Sequence, residues 1–562
     1  MKVPRTDAHI AIHTDEFSGP PLSKERISIY NSCLVPIERY VADRAYYQEV
    51  GAESLRIDLG WGAEWMPRGV DVIQPDPTID SSWIYDFSET DAIASFLNSV
   101  DTRPYWSYCY VPRWARNPSQ SWRGMATDDS IWVNTVAAYV ADCHARGVEV
   151  GYHEVYNEPD LRDERTGESV FYDGDLDDYL TLYRTTSKAI REVDPQGLIG
   201  GPALACAVEN KRWLDRFLEM VAEENLPLDF LSFHHYGHFQ LDATIAAVRE
   251  ALSRFDCFPN LELHLNEYNS FLIDYPRGGL QDGPFLASSF AAEIPRLLSY
   301  RDVTKTSWAQ FQDSGEGNFS GMIDIDGLPK PIYQVYQFYM SMPLDQVKVD
   351  VDGPIGLGAL ASAGADHGAA MIWNRSPQDV RVHLHVDSRF GEPDLTILST
   401  DGCHKIVLDS SRLHLKAGAV ALLGSADSSP RPTRRGRVVW RRPDPSDSSW
   451  IDLDEATGVV RYFSGTGVVE GSQIALDTTD SGLAHARWEL SSSKSLGLDL
   501  HVSVSTQTQT ETHEQILTGN PDGDTPPDAG MTDRRRPAGH SRIAFSIQEC
   551  PPNTHLAIRP KE

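Results

Sequence analysis

The feature that most constrains this chain is a rhythm. From about residue 24 to 345, short apolar runs alternate with longer stretches in which apolar residues recur every three or four positions. The runs are 27–31, 54–59, 104–110, 149–156, 197–202, 230–234, 261–266 and 306–311, and the clearest helical stretches are 131–145 and 179–193. Strands followed regularly by helices predict an α/β fold built on a parallel sheet. Periodicity is shared with a doubly wound open sheet. Eight units favour closure into a (β/α)8 TIM barrel over 24–345.

After Pro343 the texture changes. Runs rich in β-formers at 347–351, 369–373, 380–386, 395–398 and 419–423 are separated by turns such as Asn374-Arg375-Ser376-Pro377. They predict a β-sandwich over 346–425. Residues 9–13 alternate in the same way, so the N-terminal segment 1–23 is expected to add a strand to it. Residues 426–437 are rich in Ser, Pro and Arg and read as a linker. A β-rich accessory region follows over 438–562. Its Thr/Gln repeats, Pro526-Pro527 and Arg534-Arg535-Arg536 mark a disordered loop near 505–542. Trp440 and Trp450 in this region read as strand-packing aromatics.

Composition narrows the partners. The chain carries 81 acidic and 50 basic residues, a formal charge of −31. Binding to nucleic acid needs cations that displace counterions from phosphate, so this surface argues against it and against an anionic membrane. A neutral partner suits it best. No apolar run has the length of a signal peptide's core or of a membrane span. Seven cysteines stand apart with no C-x-x-C pair, which argues against a disulfide framework or a zinc site. A cytoplasmic protein is expected. With neither a metal cluster nor a phosphate-binding Gly loop in view, no cofactor is expected.

Two of the eight runs lead directly into carboxylates. The fourth reads Tyr152-His153-Glu154-Val155-Tyr156-Asn157-Glu158-Pro159, and the seventh Leu261-Glu262-Leu263-His264-Leu265-Asn266-Glu267-Tyr268-Asn269. The proline should stop the strand and leave Glu158 at its C-terminal mouth, where barrel active sites lie. Glu267 ends the other strand. Glycosidic cleavage needs one protonated carboxyl to protonate the leaving oxygen and one ionised carboxyl to attack the anomeric centre. Asn157, beside the acid, suits the neighbouring sugar hydroxyl. Glu154 is four residues earlier and falls below the mouth; Glu262 lies at the strand's start. Either carboxylate motif alone also fits an ordinary loop; the pair on the right strands carries the reading.

These motifs resemble glycoside hydrolase family 39, the retaining barrel enzymes that include β-xylosidases and α-L-iduronidases. The resemblance covers about residues 25–425. Asn157-Glu158-Pro159 matches the acid/base motif, and Asn266-Glu267-Tyr268-Asn269 the nucleophile segment. Asp229-Phe230-Leu231-Ser232-Phe233-His234-His235-Tyr236 is similar to the sixth-strand pattern, and Gly321 to Pro331 to the segment closing the barrel. The resemblance implies Glu158 as acid/base and Glu267 as nucleophile, with carboxyl groups about 5–5.5 Å apart. It implies that Tyr236 hydrogen-bonds the nucleophile, that His234 and Asp58 bind sugar hydroxyls, and that Arg56 holds Glu267's charge. Glu158 is expected to be raised chiefly by anionic Glu267. Trp308 is favoured over Trp61, Trp106 and Trp114 as a sugar-stacking ring, and His235 reads as structural.

The chain departs from the xylosidases at Arg56-Ile57-Asp58-Leu59, and at Ala309-Gln310-Phe311-Gln312, where the family often has an acidic pair. The expectation is therefore a retaining, exo-acting hydrolase of a neutral pentose- or galactose-type glycan, β-xylosidase- or arabinosidase-like. Its partner is an oligosaccharide or glycoside. The resemblance permits a homo-oligomer. A transglycosylase on the same residues and a non-catalytic carbohydrate-binding barrel are the alternatives.

Overall fold

The computed structural model describes residues 6–424 except 64–71, 80–81, 118, 128, 238–239, 271–282, 315–320, 324–328, 366, 387, 391–393, 400–401 and 408–411; beyond these it describes strand backbones between 436 and 561. The linker expected at 426–437 lies outside the described residues but for Gly436 and Arg437, which begin a strand. Part of the Gly321–Pro331 segment, 324–328, also lies outside them. The chain divides into two compact units, one of Ser23–Ile273 with Arg296–Ser314, the other of Met1–Leu22, Asp274–Pro295 and Gly315–Glu562.

In the first unit eight strands close into a barrel. In chain order they are Ile27–Asn31, Ser54–Asp58, Arg103–Tyr108, Tyr152–Val155, Ile199–Leu204, Phe230–Tyr236, Glu262–Asn269 and Val303–Ala309. Every neighbouring pair is parallel. Successive side chains point alternately into the barrel and out to the helices, so parity decides which residues can reach its interior.

Two local devices hold the mouth. Asp175 and Asp178 form a capping box at the start of helix Leu176–Val193, which satisfies otherwise orphaned N–H groups. Four residues on, Tyr179 donates to the carbonyl of Val155 at 3.0 Å, fixing the end of the fourth strand just before Asn157. The first and last strands are tied by Asn31 and Gln312. Asn31 Nδ2 donates to Gln312 Oε1 at 3.2 Å, and the Gln312 backbone N–H returns a bond to Asn31 Oδ1 at 3.0 Å. Gln312 Nε2 also donates to Asp43 Oδ2 at 2.6 Å.

The second unit holds a nine-stranded sheet in the order Gly402–Val407, Asp394–Ser399, Val420–Gly424, Gly368–Asn374, Leu357–Ala363, Gln346–Asp352, Thr6–Phe17, Val380–His385, Arg412–Leu415. The β-rich region expected at 346–425 is present, and hydrogen bonds join its strands and the N-terminal one into one sheet. Leu395 and Ile397 from one half share a core with Ile10, Val382 and Leu413 from the other, so the sheet curls over on itself. The N-terminal strand pairs antiparallel with Gln346–Asp352 and parallel with Val380–His385. Strand Leu357–Ala363 went unread because its Gly and three Ala residues have weak β preference; their small size suits contact with a buried neighbour. Gly358 shows this, since a Cβ there would meet the Trp373 ring at 2.5 Å.

Farther on, an antiparallel five-stranded sheet contains Gly436–Arg441, Val469–Thr478, Ser541–Cys550, Leu500–Gln507 and Thr512–Gly519. A four-stranded sheet contains Trp450–Asp454, Val459–Phe463, His555–Lys561 and Arg487–Ser492. The loop expected at 505–542 is therefore interrupted. Strand Thr512–Gly519 lies inside it, paired with Leu500–Gln507, whose end it also contains. Alternating Thr, Gln, Ile and Leu can populate a strand once a partner edge exists. Residues 508–511 and 520–540 of that expectation lie outside the described residues.

The fifth strand tests the packing. A Cβ added at Gly200 would lie 2.3 Å from the Phe230 carbonyl oxygen and 2.4 Å from its ring. Backbone cannot yield there without breaking the pairing of the fifth and sixth strands. Gly200→Ala is expected to destabilise the protein by about 2–3 kcal/mol, read as a lower denaturation midpoint in urea at unchanged slope.

Candidate active site

The mouth of the barrel gathers the predicted carboxylates. After Val155 the chain turns through two left-handed residues, Tyr156 at φ 74° and Glu158 at φ 44°. Non-glycine residues rarely adopt this conformation, and such strain clusters at functional sites. The turn is held from both sides. The Glu158 backbone N–H donates to the Ala203 carbonyl at 3.1 Å. Asp160 accepts from the backbone N–H groups of Ala205 and Cys206 at 2.9 and 3.1 Å and from Asn210 Nδ2 at 3.0 Å. Sequence reading missed Asp160. Its signal was a carboxylate two residues past the acid, on a loop that must be pinned.

Glu267 enters from the seventh strand. Arg56 Nη1 donates to its Oε1 at 2.7 Å, and Tyr236 Oη to its Oε2 at 2.5 Å. Both contacts are those expected. A Glu158 carboxylate oxygen, a His234 ring nitrogen and a Glu267 carboxylate oxygen all lie within 4.8 Å of one another. His234 Nδ1 sits 2.7 Å from Glu158 Oε1 and 3.6 Å from Glu267 Oε2.

Arg56 is the hub. It is fully buried, on the second strand. Its Nε donates to Glu154 Oε2 at 2.8 Å and its Nη2 to Asn157 Oδ1 at 2.7 Å. Nη1 lies 3.2 Å from Asp58 Oδ1, and the guanidinium covers the Tyr30 ring at 4.9 Å. Tyr30 Oη donates to Asp58 Oδ2 at 2.5 Å.

Several assigned roles change. Asp58 was expected to meet a sugar hydroxyl; its oxygens face Tyr30 and Arg56 instead, because the second strand's inward parity sets it beside Arg56 in the barrel interior. For His234, expected at a sugar hydroxyl, the structure adds a contact of Nδ1 with Glu158, while Nε2 is buried without a hydrogen-bond partner among the described residues. Trp308 was expected to stack on a sugar; it is 1% exposed. It meets the ring of Tyr268 edge-on at 6.0 Å, and Tyr268 stacks with His235, which contacts Thr244 of helix Leu241–Leu252. Parity turns that face outward to the helices. Trp61 and Trp106 are buried as well, whereas Trp114 is 44% exposed with Arg113 over its ring. Tyr30 was missed, though its place at the end of the first strand was visible.

Proton affinities follow from this packing. Burial raises Glu158 to about 8, with Asp160 and then Asp58 adding to it and Arg56 opposing. The expectation that Glu267 dominates is corrected: desolvation does, and Asp160 is the larger charge. Burial also raises Glu267, to about 7, while His234 and Arg56 pull it down. His234 is lowered by burial. Both carboxyl groups are thus raised by loss of water, and Glu267 alone has two neighbouring charges that oppose the rise.

Two buried carboxyl groups this close at a barrel mouth, beside a buried arginine and histidine, are equipped for proton transfer and for nucleophilic attack. Residues 39–410 match the profile of the glycosyl hydrolases family 39. The chain belongs to that family. It is 27% identical over 299 residues to a beta-xylosidase of Geobacillus stearothermophilus, a stretch that is 46% of this chain and 56% of the relative. The match thus spans little more than half of that relative's length. A GH39 beta-xylosidase from Caulobacter crescentus superposes with a TM-score of 0.58 at 18% identity, covering 74% of this chain and 99% of that one. A bacterial orthologue of human α-L-iduronidase superposes with a TM-score of 0.53 at 12% identity over 99% of this chain and 97% of its own. At these identities the likeness is one of fold. No helix among the described residues is long and apolar enough to cross a membrane.

Removing the hub should be severe. Arg56→Met leaves Glu154, Asp58 and Glu267 without their cation, and is expected to destabilise the protein by about 3–5 kcal/mol at pH 7. Urea melts at pH 7 and pH 5 check this. The deficit should shrink at the lower pH, as the orphaned carboxylates take up protons.

Proposed function

We propose that this protein is a retaining, exo-acting glycoside hydrolase of a neutral pentose- or galactose-type glycan, closest in kind to a β-xylosidase or arabinosidase. The observation that carries the reading is the approach of Glu158 and Glu267 oxygens within 4.8 Å. Retaining enzymes hold their carboxyl groups about 5–5.5 Å apart, whereas inverting ones leave about 6.5–9.5 Å for a water. Family membership and the name of the Geobacillus relative support the substrate class. A neutral sugar is further supported by the state of Arg56, whose charge is already met by Glu154, Asp58 and Glu267. The free thiols of Cys33, Cys109, Cys143, Cys206 and Cys257 are in keeping with a reducing, cytoplasmic setting.

The steps follow from the contacts. Glu158 enters protonated and gives its proton to the leaving oxygen as the glycosidic bond breaks. Ionised Glu267, steadied by Arg56 and Tyr236, attacks the anomeric carbon and forms a glycosyl-enzyme. Its negative charge is then gone, and Glu158, now a carboxylate, takes a proton from the water that releases the sugar. Asn157 accepts from Arg56 through Oδ1, which leaves its amide N–H group for the hydroxyl beside the anomeric carbon.

The pH profile has a definite sign. Activity requires Glu267 ionised and Glu158 protonated. The profile of kcat/KM for an unactivated xyloside should fall on the acid side as Glu267 protonates, near pH 7. It should fall on the basic side as Glu158 loses its proton, near pH 8. Glu158→Ala should abolish the basic limb with a nitrophenyl xyloside. Added azide should restore turnover and give the β-xylosyl azide; an α-azide would rule out double displacement. Glu267→Ala should lower kcat/KM by about 10³-fold or more, measured as nitrophenol release.

A further inference from the structure

We infer that Glu154 is a positioning residue for the nucleophile: it clamps Arg56 from below and divides that cation's charge with Glu267. The inference rests on the retaining reading above. Glu154 cannot touch a substrate, since it is fully buried one turn of alternation below the mouth. Its contacts are all directional. Oε2 receives Arg56 Nε at 2.8 Å and lies 2.8 Å from Nη2. Oε1 receives Asn266 Nδ2 at 2.5 Å and Tyr105 Oη at 3.4 Å.

The brace continues downward. Asn266 Nδ2 also donates to Tyr105 Oη at 3.0 Å, and Tyr105 Oη lies 3.2 Å from His264 Nδ1. His264 Nε2 lies 2.9 Å from Glu262 Oε2, near the opposite end of the barrel. Asn266 directly precedes the nucleophile, so one side chain fixes both the cation and the strand that delivers Glu267.

Glu154 sits on the far side of the guanidinium from Glu267, bound to Nε and Nη2, while Glu267 is bound to Nη1. A cation flanked in this way cannot give its full field to either carboxylate. The division has a chemical use. A nucleophile stabilised too well as an anion is a weak base and attacks slowly; one stabilised too little stays protonated. Glu154 sets the balance between these, and the Nε contact sets the angle from which Nη1 reaches Glu267.

The test uses 2,4-dinitrophenyl β-D-xylopyranoside, whose leaving group needs no acid, so the acid limb and the glycosylation rate report on Glu267 without Glu158. In Glu154→Gln, Arg56's charge is no longer divided. The acid limb should move down by about one pH unit, and glycosylation at pH 7 should slow about tenfold or more. A limb and rate equal to wild type would overturn the inference, as would a limb that moves up. If Glu154→Gln does not fold, Glu154→Asp decides. It keeps the charge but shortens the reach, so the limb should hold its place while glycosylation slows about fivefold or more; a wild-type rate would overturn the inference. Labelling with 2,4-dinitrophenyl 2-deoxy-2-fluoro-β-D-xyloside separates the two readings. Failure of the wild type to form an adduct on Glu267 removes both. An adduct in the wild type with an unmoved limb in Glu154→Gln removes this one alone.

Discussion

The site depends on one guanidinium placed where no water reaches it. Arg56 leaves solvent completely, at a desolvation cost of several kcal/mol that only well-aligned partners can offset. Its partners come from the whole circumference. Tyr30 belongs to the first strand, Asp58 to the second, Glu154 to the fourth with Asn157 just beyond it, and Glu267 to the seventh. No open sheet brings its second and seventh strands together. The catalytic geometry is therefore a property of the closed barrel, and the Asn31–Gln312 fastening between the first and last strands is part of the site in that sense.

The same burial acts on both carboxyl groups of the mouth. Both carboxyl groups lose water, and both rise for that reason. What differs is the company each keeps. Glu158 has Asp160 and Asp58 nearby, and each favours its proton. Glu267 has Arg56 and Tyr236 donating to it, and each favours the anion. A net charge of −31 spread over the surface has little part in this, because exposed charges are screened within about 10 Å at ordinary salt. The acidic composition excludes partners; it does not tune the reaction.

Much of the reacting centre was legible in the chain. Strand-ending carboxylates on the fourth and seventh runs announced Glu158 and Glu267, because a barrel puts strand ends at one mouth. Arg56 and Tyr236 were readable from the resemblance. Other features resist sequence reading because they depend on parity or on partners far away. Trp308 has the right residue type on the right strand, yet it points outward, and a one-residue shift of face separates a sugar platform from a helix contact. Asp58 is a polar residue at the mouth whose partners turned out to be protein. Glu154 was set aside for lying too deep to react, and the depth is what lets it hold Arg56. In the nine-stranded sheet, alternation reports which face is buried and not whether two edges are joined, so the continuity of its two halves was out of reach.

The departures from the family pattern have a structural meaning. After the eighth strand, where related xylosidases often place an acidic pair, this chain has Gln310 and Gln312. Gln310 Oε1 accepts from the Ser32 backbone N–H at 3.2 Å, and its Nε2 donates to Ser314 Oγ at 3.4 Å. Gln312 is committed to Asn31, Asp43 and Tyr47. Both glutamines are engaged with protein groups between the first and last strands of the barrel. Arg56 and Tyr236 hold Glu267 directly, and Glu158 joins them through His234, by contacts that do not involve this segment. The carboxylate cluster and the segment after the eighth strand are thus built separately, so one can vary in sequence while the contacts of the other persist.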